Sequence, residues 1–442
     1  MKRFSLFFGS VFVFSLFFAA CVQDGTDTPA EPPRDPHKVP VAQALADLDG
    51  LLCEIDGTTR GGGRSVRSVE TLAASELTAA TRSEAADEIG DLIHIVNFDN
   101  DGGYAILGAD DRIPSVIAVT EQGNLSAAEF VAASLADDPD TENPALRPEL
   151  VEYVQSLSED FPDDSVSPTD APSPYLVSQV WRTIEKTPIL TYVKWNQDGP
   201  YNYYVKKYIS NGEYTGCVAV AVAQIITSVL YKYYWQRNYI FPEDLKTING
   251  EKIDWEAIFR DMDAGKYTYE SEDDSVGSRA VAWLMFVLGG ELDLNYNGYD
   301  GTSGKNGAVS YFLRNFRFKM ALDVNYSTNQ VDMMLTSFNL PVYTSGADMT
   351  VRKGHAWVID GRIEQKRALA DPSGTGYTEE WRTLYHCNYG YDGDYDGYYY
   401  SKVFDLKNGA ICVDKQNHDK EGTRERNYSN DNVIITCAGF TI

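Results

Sequence analysis

The stretch from residue 217 to residue 226 constrains the fold more than any other part of the chain. Between Cys217 and Gln224 every residue is valine or alanine, so the segment has no polar face and must be buried on nearly all sides. Its length and its alanine content favour a helix that continues towards Tyr231. The chain therefore needs a core that surrounds one helix, and 442 residues with 43% hydrophobic composition are enough to build it.

Cys217 is predicted to lie in the first turn of this helix, directly after Gly216. Unpaired N–H groups and the helix dipole favour an anion at that place, and they lower the pKa of a thiol. A cysteine nucleophile needs a thiol of lowered pKa. The same position also suits a structural cysteine ahead of a core helix, and the segment by itself leaves both interpretations open.

A thiolate catalyst needs a base, and the chain has five histidines: His37, His94, His355, His386 and His418. His355 follows glycine at the start of a run typical of a strand, and a strand holds an imidazole rigidly beside a cleft. It lies 138 residues after Cys217, within the roughly 130 to 150 residues that separate nucleophile and base in papain-like proteases. A lone histidine at a strand edge is more often structural, but its pairing with Gly-Cys at this distance favours catalysis.

Four segments of the second half carry a more specific signal. They are residues 195–202 (WNQDGPYN), 215–225 (TGCVAVAVAQI), 354–361 (GHAWVIDG) and 385–391 (YHCNYGY). In this order they resemble the motifs of the streptopain family of secreted bacterial cysteine peptidases. The resemblance implies an α+β, papain-like fold, in which a buried nucleophile helix packs against an antiparallel β-sheet and a small α+β prodomain precedes the catalytic domain.

The resemblance assigns a role to one residue in each segment. It implies that Cys217 is the nucleophile and that His355 is its base, and later the acid that protonates the leaving amine. Asn388 would accept the other imidazole N–H and fix the tautomer. Gln197 would add a side-chain N–H to the backbone N–H of Cys217 in an oxyanion hole. Without the family, Gln197 reads as a surface residue in a Pro/Gly turn and Asn388 as an ordinary turn residue.

The same alignment places Thr302, Ser303 and Gly354 where the family binds substrate. The chain departs from the family at Tyr389 and Tyr391, where the family has two tryptophans. The ring that shields the histidine from water therefore carries a hydroxyl here, which we expect to affect specificity and the pKa of the histidine more than the class of reaction. No metal or organic cofactor is implied, and the six cysteines include no C-x-x-C pair.

Two other functions fit parts of the same sequence. The spacer between His355 and Asn388 contains Asp371 followed by proline, and His-Ala-Trp-Val followed by Asp-Pro also resembles transglutaminase-like enzymes. In that reading the triad is Cys217, His355 and Asp371, and an amine rather than water accepts the acyl group. The other alternative is a catalytically inactive lipoprotein that uses the fold for surface binding. The segment at residues 195–202 and the Asn388 motif favour the peptidase.

The first 21 residues have the features of an export signal. Lys2 and Arg3 are followed by a long apolar run, and small residues precede Cys21. Small residues followed by cysteine resemble the lipobox of bacterial lipoproteins, in which that cysteine is acylated. We therefore predict a lipid anchor at Cys21 as the one membrane contact, with ordinary secretory cleavage as the alternative. Residues 22–40, rich in Pro, Asp and Thr, are typical of an extended tether.

Residues 41–165 are predicted to form a small α+β domain that resembles the family's inhibitory prodomain. Residues 41–56 have alanine and leucine at helical spacing. Residues 92–98 and 104–107 are rich in strand-forming residues and flank an Asp/Asn/Gly-rich hairpin signal. A further helix is predicted from Ser126. The domain would be an intramolecular partner of the catalytic part, beside its protein or peptide substrates.

Charge divides the chain at the same place. The net charge is −27, which excludes a nucleic-acid partner. Residues 22–177 hold 31 acidic and 8 basic side chains, a net charge of −23, whereas residues 178–442 hold 34 and 28, a net charge of −6. Residues 166–177 are a natural linker and protease target. We expect the activation cut between about residues 160 and 188, which leaves residues 178–442 as the catalytic domain.

Overall fold

A large antiparallel sheet with helices packed on it forms the framework of this computed structural model. The structure describes residues 37–58, 63–77, 90–135, 153–154, 157, 180–296, 305–348, 353–370, 377–404, 412–413, 425–426 and 432–442. The predictions made for residues 1–21, Cys21, 166–177, Thr302, Ser303 and Asp371 lie outside these ranges.

The N-terminal part of the sheet is built from strands that follow one another along the chain. Its elements are α1 (Val41–Asp56), β1 (Val66–Ala73), α2 (Ala74–Leu77), β2 (Asp91–Phe98), β3 (Tyr104–Gly108), β4 (Ala118–Thr120) and α3 (Ala127–Leu135). Each of the four strands pairs antiparallel with the next. The predicted helix at residues 41–56, the hairpin and the helix after Ser126 are confirmed.

The C-terminal part supplies most of the helices and the longest strands. Its first elements are β5 (Arg182–Thr187), α4 (Tyr203–Tyr208), α5 (Cys217–Leu230), β6 (Thr247–Ile248), β7 (Glu251–Lys252), α6 (Trp255–Asp263), α7 (Val276–Glu291) and α8 (Asn306–Asn315). The remaining elements are β8 (Leu322–Asn325), α9 (Thr328–Asp332), β9 (Val342–Asp348), β10 (Lys353–Ala370), β11 (Tyr377–Asn388), β12 (Gly397–Tyr400), β13 (Cys412–Val413), β14 (Glu425–Arg426) and β15 (Val433–Thr436).

Eleven strands join in one sheet, in the order β1-β2-β3-β4-β12-β11-β10-β9-β15-β8, with β5 added beside β10. The long strand β10 pairs with β11 along one edge, and with β9 and then β5 along the other. The pairing of β10 with β11 is irregular between Ile359 and Gly361. A bulge of this kind re-aims a side chain, here that of Asp360, which is fully buried.

Helix α5 lies at the centre of the core. All residues after Cys217 in this helix are buried, and the helix packs against β10, β9 and α7. With the π-helical turn that follows, residues 217–235 are long and apolar enough to cross a membrane, but 83% of that window is buried inside the protein, as expected of a core helix. The predicted α+β fold, with a buried helix behind the nucleophile and an antiparallel sheet against it, is confirmed.

The two parts of the sheet meet where β4 pairs with β12. Ala118, Val119 and Thr120 lie opposite Tyr399, Tyr398 and Gly397, and the Glu121 N–H donates to the Asp396 carbonyl at 2.7 Å. The approach is so close that a Cβ atom on Gly397 would overlap the Val119 carbonyl. We call residues 118–121 and 396–399 the strand junction.

Candidate active site

Cys217 is the first residue of α5, as predicted from the sequence. Gly216 before it has φ = 88°, a conformation that favours glycine. The chain turns at this residue and enters the helix. The first turn of a helix leaves its N–H groups without intrahelical partners. The thiol of Cys217 therefore lies where the backbone stabilises a negative charge.

Gln197 is held close to the segment that leads into Cys217. Its carbonyl accepts the Thr215 N–H at 2.8 Å and is 3.3 Å from the Thr215 hydroxyl, which also donates to it. Its own N–H donates to the Asn196 side chain at 2.7 Å. The structure thus brings Gln197 into hydrogen-bond contact with Thr215, which directly precedes the Gly-Cys pair.

His355 lies on β10 in a wall of aromatic rings. The imidazole is 8% exposed, and the Tyr391 ring stacks on it with centroids 5.2 Å apart and planes 11° from parallel. The rings of Trp357 and Tyr389 have their centroids 6.3 Å from that of the imidazole, with planes inclined to it by 7° and 24°. The hydroxyl introduced by Tyr391 is 3.5 Å from His355 Nδ1, so the departure from the family motif places a polar group beside the imidazole.

One ring nitrogen of His355 has a fixed role. Nε2 lies 2.9 Å from the Tyr389 carbonyl, and a carbonyl only accepts, so Nε2 carries a hydrogen. In the neutral imidazole the other nitrogen, Nδ1, is then the basic one. His355 is therefore set up to take a proton at Nδ1.

The side chain of Asn388 does not accept the imidazole N–H that the resemblance assigned to it. Its Oδ1 accepts from Gln224 Nε2 at 3.0 Å and from the Gly390 N–H at 3.1 Å, and its Nδ2 donates to the Val193 carbonyl at 2.9 Å. The acceptor for His355 is one peptide further along the chain. The reason is local: the turn at Gly390, with φ = 76°, points the preceding carbonyl at the imidazole.

This turn packs closely against helix α5. A Cβ atom on Gly390 would lie 2.9 Å from the Val220 side chain of α5. Tyr343 on β9 gives a second link, because burial and the nearby Cys217 thiol raise the pKa of its phenol. Tyr343 lies opposite Val358, three residues after His355 on β10. The helix N-terminus and the strand that carries the imidazole thus face each other across a short distance in the fold.

Asp396 is a buried residue of the site that sequence reasoning missed. Its Oδ1 accepts the Tyr389 N–H at 2.9 Å, which helps to hold the residue whose carbonyl accepts from His355. Burial raises the pKa of Asp396 to about 7, against the opposing charges of Lys194 and His386. Its position in a Tyr-Asp-Gly turn gives no sequence signal, because many Asp-Gly turns have no such partner.

A buried charge cluster lies behind the turn. His386 is 2.5 Å from Asp360 Oδ1 and 3.3 Å from Glu121 Oε1, and Lys194 Nζ is 2.5 Å from Glu121 Oε2. Burial alone would lower the pKa of His386, but the two carboxylates raise it to about 10, so the imidazole is protonated. Burial acts to raise the pKa of Glu121, yet His386 and Lys194 hold it well below its usual range. The structural role expected for His386 fits these contacts.

Among the proposed substrate-binding residues, Gly354 lies within the described ranges. It pairs with Ala347 across β10 and β9, directly before His355. The described residues also hold one group with metal-ligand geometry, His37, Asp110 and Asp111. It lies outside this site, and Asp110 is already paired with Arg112 at 2.6 Å.

Comparison with known proteins matches the segments that hold these residues. Residues 195–399 match the model of the Peptidase C10 family. Streptopain of Streptococcus pyogenes is 24% identical over 330 residues, which cover 67% of this chain and 71% of streptopain. The thiol protease/hemagglutinin PrtT of Porphyromonas gingivalis is 26% identical over 382 residues, which cover 81% of this chain and 37% of PrtT.

Two solved structures from Prevotella intermedia also resemble the chain. A prointerpain A fragment covers 78% of this chain and 94% of its own, with a TM-score of 0.46 and 20% identity. Active interpain A cysteine protease covers 49% of this chain and 87% of its own, with a TM-score of 0.35 and 26% identity. The family match spans Gln197, Cys217, His355 and Asn388, the four residues singled out by their motifs.

Proposed function

Since the chain is a streptopain-like cysteine peptidase, we propose that it is an exported endopeptidase made as a zymogen, with Cys217 as nucleophile and His355 as base. The observation that carries this proposal is the pairing of a cysteine at the start of a buried helix with an imidazole whose Nε2 hydrogen is held by a carbonyl at 2.9 Å. That arrangement leaves Nδ1 basic and directs a thiol towards its anionic form.

The reaction follows from these positions. His355 Nδ1 takes the thiol proton, and the thiolate of Cys217 attacks the peptide carbonyl carbon. The oxyanion that forms is stabilised by the Cys217 N–H and by a side-chain N–H of Gln197, and one such donor is worth about 3 to 4 kcal/mol in the transition state. The intermediate collapses to a thioester as His355 returns the proton to the leaving amine.

Water completes the cycle. His355 takes a proton from a water molecule, the resulting oxygen attacks the thioester carbon, and the carboxylic acid leaves as the thiol is restored. The polypeptide substrate would extend past Gly354 and the segment that holds Thr302 and Ser303. Asn388 acts in this scheme as a positioning residue and not as the direct partner of the imidazole.

The zymogen proposal draws its support from the strand junction. Residues 41–165 would form the prodomain, because β4 adds to the edge of the catalytic sheet and Glu121 enters between His386 and Lys194. The loop that follows Glu121 contacts the turn after Tyr391: a Cβ atom on Gly393 would lie 3.1 Å from Gln122 Nε2. A prodomain at this place lies next to the turn that holds the base.

The position of β5 narrows the expected cleavage region. Residues 182–187 pair with β10, and the guanidinium groups of Arg382 and Arg367 lie 4.2 and 4.7 Å from the centroid of the Trp181 ring. A chain that is paired and packed in this way is a poor protease substrate. The cut therefore belongs before residue 180, which agrees with a linker at residues 166–177.

Export and anchoring are proposed from the sequence alone. Residues 1–21 would direct export, and acylation of Cys21 would hold the precursor at a membrane through residues 22–40. Cleavage in the linker would then release the catalytic domain, residues 178–442, from both the anchor and the prodomain. Incorporation of labelled palmitate into the wild-type precursor, and its loss in Cys21→Ala, would support the anchor.

Substitution of Cys217 tests the proposed chemistry. In the expressed precursor, Cys217→Ala should stay full-length and should not react with the epoxide thiol reagent E-64, whereas the wild type should be processed and labelled. Cys53→Ala is the matched control, because Cys53 is a half-buried cysteine like Cys217, and it should behave as the wild type. If wild type and Cys217→Ala are equally uncut and unlabelled, the enzyme proposal fails and a binding protein remains.

A further inference from the structure

Two buried side-chain amides, those of Gln224 and Asn388, form a closed relay with the backbone of one segment. The Trp195 N–H donates to Gln224 Oε1 at 3.0 Å, and Gln224 Nε2 donates to Asn388 Oδ1 at 3.0 Å. Asn388 Nδ2 completes the relay by donating to the Val193 carbonyl at 2.9 Å. Reversal of either amide would set donor against donor or acceptor against acceptor, so the relay has one arrangement.

The relay reaches the base through a single peptide group. Asn388 Oδ1 also accepts the Gly390 N–H, and the carbonyl of the same peptide group, that of Tyr389, accepts from His355 Nε2. A peptide group is planar, so holding its N–H fixes the direction of its carbonyl. Asn388 therefore orients the acceptor for His355, and Gln224 orients Asn388.

The relay also reaches the nucleophile and the proposed oxyanion donor. Gln224 lies seven residues after Cys217 on α5, which is two turns along the same helix face. Trp195 lies two residues before Gln197, whose carbonyl accepts the Thr215 N–H ahead of the Gly-Cys pair. One side chain thus connects the segments that carry the nucleophile, the base and the oxyanion donor.

Packing does not explain a glutamine at this position. The preceding six residues of α5 are valine and alanine, and Gln224 is 0% exposed. A buried amide is costly unless its hydrogen bonds are made, and an apolar side chain would fill the same space without that cost. The three segments that the amide joins give it a reason to be there.

We propose that Gln224 is a positioning residue of the peptidase reaction: through Asn388 and the Tyr389–Gly390 peptide it sets the imidazole of His355, and through Trp195 it sets the segment of Gln197. The proposal rests on the function proposed above. It predicts that loss of the relay lowers turnover rather than substrate binding. It also predicts a weaker acceptor for His355 Nε2, which destabilises the imidazolium form.

Gln224→Met tests the proposal, because methionine keeps the length of the side chain and removes both hydrogen bonds. In the full chain, processed with an added protease where self-processing fails, we expect kcat to fall at least about tenfold with KM changed by less than about twofold. The alkaline limb of the pH profile of kcat/KM should move to lower pH. Thr227→Val is the matched control: its buried hydroxyl on the same helix has no hydrogen-bond partner within the described part of the chain, and the variant should match the wild type.

Two further variants keep the test decisive. Gln224→Glu retains an acceptor for the Trp195 N–H and loses the donor to Asn388, so it should shift kcat and the alkaline limb in the same direction. Because the amides act as one unit, Gln224→Met combined with Asn388→Ala should lose no more than about twofold beyond the larger single loss.

Unchanged kcat and an unchanged alkaline limb in the soluble variants would overturn the proposal, as would losses that multiply in the double variant. If both Gln224 variants were insoluble while Thr227→Val stayed soluble, Gln224 would be needed for folding, and this result would also overturn the proposal. A wild-type chain as inactive as Cys217→Ala would instead contradict the peptidase function on which the proposal rests.

Discussion

The two parts of the sheet differ in how many of their strand pairs join distant segments of the chain. In the N-terminal part, β1 to β4 pair in the order in which they occur along the chain. In the C-terminal part, β9 to β12 also pair in chain order, but β10 pairs in addition with the distant β5, β9 with β15 and β12 with β4. Local pairing forms with little loss of chain entropy, whereas pairing between distant segments must first close long loops. The N-terminal part is therefore the simpler unit to fold and to remove.

The difference extends to charge at the strand junction. The N-terminal part contributes a carboxylate, Glu121, and the catalytic part contributes two cations, His386 and Lys194. An ion pair with a buried member adds less to stability than its loss costs, because removing one partner leaves the other charge with less compensation. A change on either side should therefore weaken the junction, which would suit the proposed removal of the N-terminal part.

The largest effect is expected for Glu121→Gln, which removes the carboxylate from the junction. In a Cys217→Ala precursor, which cannot cut itself, we expect the free energy of unfolding to fall by about 2 to 3 kcal/mol, since His386 and Lys194 lose the carboxylate that they share and keep one other each, Asp360 and Asp396. Urea unfolding measures this, and Glu256→Gln is the control because the Glu256–Arg260 pair is exposed. Equal stability of precursor and variant would mean that the two parts do not depend on this charge.

Gly397→Ala separates the two forms of the protein. In the precursor the added methyl group meets the Val119 carbonyl, and we expect a loss of about 1 to 3 kcal/mol of stability from the overlap. The processed enzyme would lack Val119, so in that form the variant and the wild type should have the same free energy of unfolding. Gly290→Ala is the control, because open space surrounds Gly290 and the change should act alike on both forms.

A smaller effect is expected in the way the free energy of unfolding of the precursor depends on pH. The pKa of His386 is raised from 6.5 to about 10 in the folded precursor, so its stabilising contribution is complete below about pH 6.5 and is lost as the pH rises through 10. We expect the precursor to lose about 1 kcal/mol more than the processed enzyme between pH 7 and pH 10, because Glu121 contributes part of the shift. This additional loss of stability should vanish in Glu121→Gln. If it persists there, Glu121 does not contribute to the raised pKa of His386.

The smallest effect is expected for Asp396→Asn in the processed enzyme. Asparagine keeps an oxygen that accepts the Tyr389 N–H, so kcat should change by less than about threefold. Asp396→Leu removes that acceptor, and we expect a loss of about tenfold in kcat, since the residue that holds the imidazole is released. Steady-state assays on a peptide substrate compare the two variants. Equal losses would show that the charge of Asp396, and not its hydrogen bond, matters.

The local sequence pattern predicted the helix and the strand that hold Cys217 and His355. The valine and alanine run predicted a buried helix that begins at Cys217, and the structure has that helix at Cys217–Leu230. The run after Gly354 predicted His355 at the start of a strand, and β10 begins at Lys353. Both succeeded because helix and strand periodicity depend on neighbours in sequence.

The partners of the catalytic side chains could not be predicted in the same way. Asn388 was expected to accept the imidazole N–H, but the Tyr389 carbonyl accepts it instead. The turn at Gly390 points that carbonyl at His355. Glu121 and Asp396 had no motif, since their partners come from other segments of the chain. No local pattern encodes a contact of that kind.

The sequence by itself therefore determined the chemistry available to this protein: a thiol at the start of a buried helix, an imidazole on a strand, and an acidic first half that differs from the second. Only the tertiary structure decided which atoms meet. Hydrogen bonds act over about 3 Å, and strand register and turn geometry set positions on that scale. That is why the carbonyl of Tyr389 accepts from the imidazole of His355, Gln224 joins three segments, and Glu121 lies between two cations.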